Sequence, residues 1–289
     1  MNLSQKERFR LEAKAHDLRS LILDTTLYAG GGHIGGCLSA VDILTALYYK
    51  YLNFNPIDYK NPDRDRCIVS KGHIGIAMAA IFADLGILSK EELKKFNSTN
   101  SKLGIHLDSN KVPGLDASTG SLGHGSSIAL GMALAAKMRK QNYKTFLILG
   151  DGECNEGSVW EAAMATSHYN ATNLITIVDR NHNMIDGNTE EVMALEPFAE
   201  KWKAFGFEVI EINGHDFNEI CEALECALKA HDKPVCIIAD TVKGEGISFM
   251  AGNYKWHYGS LDEQKYSIAK QELEEYYNSR LTRIGKEAE

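Results

Sequence analysis

Two oxygen-bearing side chains stand where a cation and a phosphate could meet. In "KTFLILGDG" an apolar run ends on Gly150, Asp151 and Gly152; in "NLITIVDRN" a second apolar run ends on Asn181, about thirty residues further on. A carboxylate and an amide oxygen suit a hard cation such as Mg²⁺, which takes few protein ligands and fills its octahedron with water and phosphate oxygens. The flanking glycines allow close approach to the backbone. Asp and Asn also favour plain turns, so spacing alone leaves a strand-ending role open for both.

Histidines form the second chemical set. His33, His73, His106, His124 and His257 lie in glycine-bearing loops. Imidazoles titrate near neutrality and suit proton transfer at hydroxyl groups. His16, His168 and His231 sit in helical context and read as surface or packing residues, and the sequence gives His182 and His215 no role. His33 lies inside "GGGHIGG", where Gly30, Gly32 and Gly35 have G-x-G-x-x-G spacing. A dinucleotide fingerprint must follow a strand. Here Leu11, Leu18, Leu21, Ile22 and Thr25 mark one face of a helix from Leu11 to Tyr28, and a second helical run covers Leu38 to Tyr51. The context removes the dinucleotide reading.

Several elements must position these groups. Strands are expected at Arg66–Ser70, "KTFLILGDG", "NLITIVDRN", "FEVIEINGHD" and "PVCIIAD", with helices at "IGIAMAAIFADLG", "HGSSIALGMALAAKMRK", "SVWEAAMATSHYN" and from about Phe217 to Ala230. "KTFLILGDG" and "NLITIVDRN" lack alternation, as when helices cover both faces of a sheet. Alternating strands and helices imply βαβ units and a mainly parallel sheet. Ligands then gather beyond the carboxyl ends of the strands, where the glycine-rich loops fall. A right-handed crossover between adjacent strands would set Asp151 beside Asn181.

The motifs "GGGHIGG", "DRDRCIVSKGH", "STGSLGHG", "GDGECNEG", "VDRNHNMIDG", "WKAFGFEVIEINGHD", "TVKGEGISFM" and "WHYG" stand in a fixed order. From about Leu18 to Gly259 the chain resembles the N-terminal, diphosphate-binding part of the transketolases, in the form encoded as a separate subunit. The resemblance implies an α/β thiamine-diphosphate-binding fold with a mainly parallel central sheet flanked by helices. It implies a single diphosphate-binding domain over 1–289, with a helical N-terminal segment at about 1–60 and a polar helical tail at about 261–289. It assigns Mg²⁺ or Ca²⁺ to the Asp151 and Asn181 side chains and the Asn183 carbonyl oxygen. It places the Gly152 amide at the diphosphate, counts Glu153 among the cofactor-binding residues, and puts His73 and His257 near the diphosphate and the substrate-facing side of the cofactor. Gly120, Ser121, Leu122 and Gly123 would line the rings, and Ile185 would wedge the cofactor into a bent shape. His33 and His106 would face the reacting end of the sugar, and Glu156 would join a hydrogen-bond relay between paired sites.

Thiamine diphosphate would serve as the electron sink for an acyl carbanion that a protein cannot stabilise by itself. The implied activity is transfer of a two-carbon ketol unit from a ketose phosphate to an aldose phosphate. The glutamate that activates the cofactor belongs in this family to a pyrimidine-binding domain. No βαβ series remains for that domain before Glu289, so a separate partner chain is expected, in an α2β2 assembly.

The family pattern departs at Ile34, at Ile105 and Leu107 around His106, at His124 where Gln is usual, at His182 where Gly is usual, and at Tyr258 inside "WHG". These positions surround the substrate mouth and the metal loop. A related anionic ketose, such as apulose 4-phosphate or a sulfonated fructose, therefore stays open as substrate. So do a 1-deoxyxylulose-5-phosphate synthase-like or 2-oxoacid dehydrogenase E1-like activity and a non-catalytic binding subunit.

Composition fits an enzyme of this class. The 289 residues are 44% hydrophobic, enough for a large core, and the net charge of −8 argues against a nucleic-acid surface. None of the six cysteines forms C-x-x-C, which points to reduced thiols. The N-terminus lacks a targeting pattern and no apolar run has membrane-spanning length, so a cytoplasmic location and no membrane partner are expected.

Overall fold

The computed structural model describes residues 3–286; residues 1–2 of the expected N-terminal segment and 287–289 of the expected tail lie outside the described residues. Strands β1 (Arg66–Val69), β2 (Thr145–Gly150), β3 (Leu174–Arg180), β4 (Glu208–Asn213) and β5 (Val235–Asp240) form one parallel sheet in the order β1-β2-β3-β5-β4. The α-helices among the described residues are α1 (Gln5–Ala29), α2 (Ile34–Ala46), α3 (Gly75–Asp84), α4 (Lys90–Leu93), α5 (His124–Met138), α6 (Gly157–His168), α7 (Thr189–Val192), α8 (Phe198–Ala204), α9 (Phe217–Lys229) and α10 (Glu263–Lys286).

The central strands β2, β3 and β5 are apolar on both faces because both are covered, whereas the edge strand β4 is exposed or half-buried along its length. Phe146, Ile148, Ile175, Ile177, Val235 and Ile237 belong to one core with α1, α2, α3 and α9. Leu147, Leu149, Leu174, Val178, Cys236 and Ile238 point the other way, into a second core with α5, α6 and α8. Successive strand residues alternate between the two cores, as the pleat requires.

Helix α1 is capped by Ser4, whose Oγ accepts the Glu7 amide at 3.2 Å, and it stops at Gly30, where φ of +69° closes the last turn. The glycine loop thus follows a helix. Helix α2 starts at Ile34 rather than at the expected Leu38, because Gly35 and Gly36 belong to it; a Cβ on Gly35 would lie 2.6 Å from the Trp256 carbonyl oxygen. Its last residues open into one π-helical turn, Leu47–Tyr51. The short helices α4, α7 and α8 carry too few turns to show a period in the sequence.

The expected polar helical tail is the helix α10, which is mostly exposed but packs one narrow face inward. Helix α10 buries Ala269, Leu273 and Ile284, and Arg280 reaches Glu12 of α1 through Nε (2.5 Å) and Nη2 (2.9 Å). It straps the first helix to the body of the fold. No helix among the described residues is long and apolar enough to cross a membrane.

Candidate active site

Asp151 leaves β2 one residue beyond the Gly150–Asp179 pairing, and Asn181 leaves β3, so the α6 crossover brings both to one edge of the sheet. Asp151 is buried; its Oδ1 accepts the Gly152 amide (2.8 Å) and its Oδ2 the His182 amide (2.6 Å). Burial and the nearby Asp179 charge raise its pKa above the ordinary carboxylate range, against the pull of Arg180 at 3.3 Å. Asn181 gives its amide nitrogen to Ser39 (3.3 Å) and Asp179 (3.4 Å), and its oxygen accepts the Asn183 amide at 3.2 Å. The Asn183 carbonyl oxygen accepts from Lys243 Nζ at 2.7 Å. A buried carboxylate, an amide oxygen and a carbonyl already facing an ammonium make an all-oxygen donor set suited to a hard cation. No group of three or more His, Cys, Asp or Glu among the described residues could hold a metal, so a cation here would depend on the two neutral oxygens.

His182 adopts φ +61°, the left-handed region that favours glycine, and this explains why the family pattern carries Gly there. Its Nε2 lies 2.7 Å from Asp240 Oδ1. Beyond it, the Asn183–Asn188 bridge and the Met184 amide bonded to the Gly187 carbonyl (2.8 Å) form a tight hairpin. Ile185 stands at its tip, 64% exposed, where it lines a cavity at the strand ends.

Four of the five loop histidines converge on this cavity of about 300 Å³. The ring of His33 lies 5.2 Å from those of His73 and His257 and 6.1 Å from that of His106, and His73 and His257 are 5.1 Å apart. Two glycine loops make this possible: Gly32 and Gly259 exchange backbone hydrogen bonds of 2.9 and 3.0 Å, which draws His33 to His257. Desolvation, with help from His106 and Lys243, depresses the His33 pKa to about 4. Desolvation and Lys243 depress that of His257 to about 3, and desolvation and Lys71 push His73 well below its ordinary value. These three rings are therefore neutral at pH 7, able to accept a proton or to donate one hydrogen bond each. His33 Nδ1 is buried with no hydrogen-bond partner among the described residues.

The same cavity holds Asp151, Gly152, Glu153, Asn181 and Asn183 on one side and Gly120 and Leu122 on another. Glu153 is buried and its oxygens are occupied by Ser70 and by the Gly123 (2.8 Å) and Gly150 (3.1 Å) amides. It braces the "GSLG" loop against the end of β2. Three expected residues do not line the cavity. Ser121 is exposed beside it, and Gly123 turns its backbone to Glu153, with φ +81° and no room for a Cβ against Ser158 and Glu156. Glu156 is exposed at the N-cap of α6, outside the cavity, because the chain turns outward there to begin the helix. His124, the first residue of α5, is likewise exposed and outside it.

Sequence reasoning missed two cations. Lys71 is buried and paired with Asp179, whose ionisation burial opposes and Lys71 restores, leaving its pKa below the ordinary range. Lys243 is buried among Asn183 O, Met184 O (3.4 Å) and His257 Nδ1 (3.2 Å), and desolvation with the Lys71 charge lowers its pKa to about 8. Both stand inside family motifs, "SKGH" and "TVKGEG", where a lysine reads as a solvated loop residue. A wider groove of about 710 Å³ runs between the end of β4 and α10, but none of the expected site residues lines it. Convergent polar groups with shifted pKa values, rather than size, single out the smaller cavity.

Residues 11–280 match the family described as transketolase, thiamine diphosphate binding domain. The chain is 40% identical over 277 residues to one of the subunits of the apulose-4-phosphate transketolase of Phocaeicola vulgatus, covering 96% of this chain and 97% of that one. It is 40% identical over 269 residues to the 6-deoxy-6-sulfo-D-fructose transketolase subunit SqwG of a Clostridium species, covering 93% and 98%. Its fold superposes on the crystal structure of transketolase from Campylobacter jejuni with a TM-score of 0.87 at 34% identity, over 95% of this chain and 43% of that longer one. The chain therefore belongs to the transketolase family, of which it carries the thiamine diphosphate-binding domain.

Proposed function

We propose that this chain is the thiamine-diphosphate-binding subunit of a split transketolase, active with a separate partner that carries the pyrimidine-binding domain. It moves a two-carbon ketol unit from a ketose phosphate, or a related anionic ketose, to an aldose phosphate. The observation that carries this reading is the meeting of His33, His73, His106 and His257 with the Asp151–Asn181–Asn183 oxygens in one cavity. The relatives matched over nearly their whole length are named as subunits, and this supports a partner chain, which in this reading joins in an α2β2 assembly. We read residues 1–289 as one diphosphate-binding domain, and the six unpaired thiols fit a reducing, cytoplasmic setting.

In this reading Asp151 Oδ, Asn181 Oδ1 and Asn183 O hold Mg²⁺ or Ca²⁺, and the Gly152 amide and His73 bind the diphosphate with Lys243, whose ammonium supplies charge at the same spot. Thiamine diphosphate, when bound, supplies the electron sink for the two-carbon carbanion. Gly120 and Leu122, which line the cavity, would flank its rings, and Ile185 would wedge against them. His33 and His106 face the sugar, and His33, neutral at pH 7, has a ring nitrogen that can accept a hydrogen bond from a sugar hydroxyl. His257, neutral beside Lys243, holds the next hydroxyl or the cofactor by hydrogen bond. Glu156, exposed beside the "GSLG" loop, is placed to meet a second chain.

The test is reconstitution with the partner chain, thiamine diphosphate and Mg²⁺, and a panel of donors. Ketol transfer from xylulose 5-phosphate, apulose 4-phosphate or sulfofructose is expected. Condensation from pyruvate without ketol transfer would assign the synthase-like activity instead, and no turnover with any donor would leave a binding subunit.

A further inference from the structure

The "NGHD" turn after β4 takes no part in the proposed chemistry, yet it grips the segment that carries Lys243. The β4–β5 ladder ends at the Asn213–Asp240 pair. One step further, the Gly214 amide donates to the Asp240 carbonyl at 2.7 Å, and the next rung is a side chain: the Val242 amide donates to His215 Nε2 at 2.9 Å. Gly214 has no room for a Cβ, which would overlap the Thr241 side chain and lie 3.0 Å from Ala239 Cβ, so the turn sits directly on the strand end.

We propose that His215 is a positioning residue, which holds Lys243 in the catalytic cavity through the Thr241–Val242 backbone; the proposal rests on the cavity's assignment above. His215 is buried, and its Nδ1 lies 2.9 Å from Asp42 Oδ2. Because Nε2 accepts the Val242 amide proton, the ring proton sits on Nδ1 and is donated to Asp42, which fixes the tautomer. Asp42 cannot move: it is fully buried on α2, and Arg19 holds both its oxygens at 2.8 and 2.7 Å. The other side of the segment is tied as well, by the Thr241 amide to the Arg180 carbonyl (3.0 Å) and by Thr241 Oγ1 to Asp179. One residue on, Lys243 reaches Asn183 O and His257 Nδ1. Thus a carboxylate in the core fixes an imidazole, the imidazole fixes an amide, and the amide sets where an ammonium enters the site. Such supporting partners typically change affinity or activity by roughly 10–100-fold when removed.

The experiment compares His215→Phe, His215→Asn and His215→Gln with Leu224→Ala, a buried substitution on α9 that makes neither of the His215 hydrogen bonds. Gln offers one donor and one acceptor across a similar span, whereas the shorter Asn cannot bridge Asp42 and Val242. In the full chain alone, hydrogen exchange at the Val242 amide is expected to quicken in Phe and Asn, and to stay slow in Gln and in Leu224→Ala. With the partner subunit, the KM for thiamine diphosphate is expected to rise by roughly tenfold or more in Phe and Asn, with Gln recovering most of the loss. A folded Phe or Asn variant with wild-type exchange at Val242 and a wild-type cofactor KM would overturn the proposal. So would a Leu224→Ala variant that shifts both readouts equally. A wild-type pair with no thiamine-diphosphate-dependent turnover would instead strike the site assignment, and exchange at Val242 would still decide whether His215 holds the loop.

Discussion

At the scale of single residues, the site is a set of oxygens and neutral imidazoles gathered around two lysines. Asp151 is the one carboxylate in the proposed metal set, so Asp151→Ala is expected to lower activity of the reconstituted enzyme by at least about 100-fold, with the loss lying in metal-dependent cofactor binding. Titration of the cofactor by fluorescence or calorimetry, with and without Mg²⁺, checks this; unchanged metal-dependent affinity would remove Asp151 from the site. The histidines carry a second prediction. Unfolded histidine takes its proton near pH 6.5, whereas native His33 and His257 hold out until about 4 and about 3. Between those limits the unfolded chain binds more protons, so the cofactor-free protein loses stability as pH falls through that window. Urea midpoints at about pH 7 and about pH 4.5 should diverge, and a His33→Gln, His257→Gln variant should show a smaller gap. An undiminished gap would place the acid sensitivity elsewhere. These histidines were legible in the sequence because glycine loops isolate them. Lys71 and Lys243 were not, since their burial follows from loops that meet only in the folded chain: Lys71 bonds to Asp179 and Lys243 to Asn183.

At the scale of elements, the strands and long helices follow from apolar runs and periodicity, and each expected strand is found with ends shifted by no more than three residues. What the sequence hid is long-range. Helix α10 reads as a polar tail because its key contact joins Arg280 to Glu12 at the far end of the chain. Leaving Glu12 buried and unpaired is expected to destabilise the fold by about 3–5 kcal/mol, so Arg280→Met should lower the thermal midpoint markedly. Restoration by a paired Glu12→Met change would identify the lost partner as the cause. A loss no greater than that of an exposed substitution would show that α10 is dispensable. The glycine loops make a sharper claim. A Cβ on Gly72 would lie 2.6 Å from the Thr119 carbonyl carbon, and Gly72 precedes His73. Gly72→Ala is expected to cost about 1–3 kcal/mol by overpacking and to weaken cofactor binding as His73 shifts, while Gly131→Ala, on α5 with open space and an ordinary helical backbone, changes binding little. Equal effects on binding would deny the close approach any part in the site.

At the scale of the whole molecule, one sheet delivers Lys71, Asp151, Asn181 and Lys243 from the carboxyl ends of β1, β2, β3 and β5 to a single mouth. The two core layers were legible as strands without alternation, and the insertion of β5 between β3 and β4 was not, because strand order leaves no periodic mark. Exposed Leu122 and Ile185 rim the cavity. The most direct measurement is to isolate the chain with whatever it binds, by native mass spectrometry with peptide mapping, and to assay that assembly for ketol transfer with thiamine diphosphate and Mg²⁺. The account predicts a stoichiometric partner bearing the pyrimidine-binding domain and turnover only when both chains are present. A homo-oligomer of this chain that transfers ketol units without a partner would contradict it.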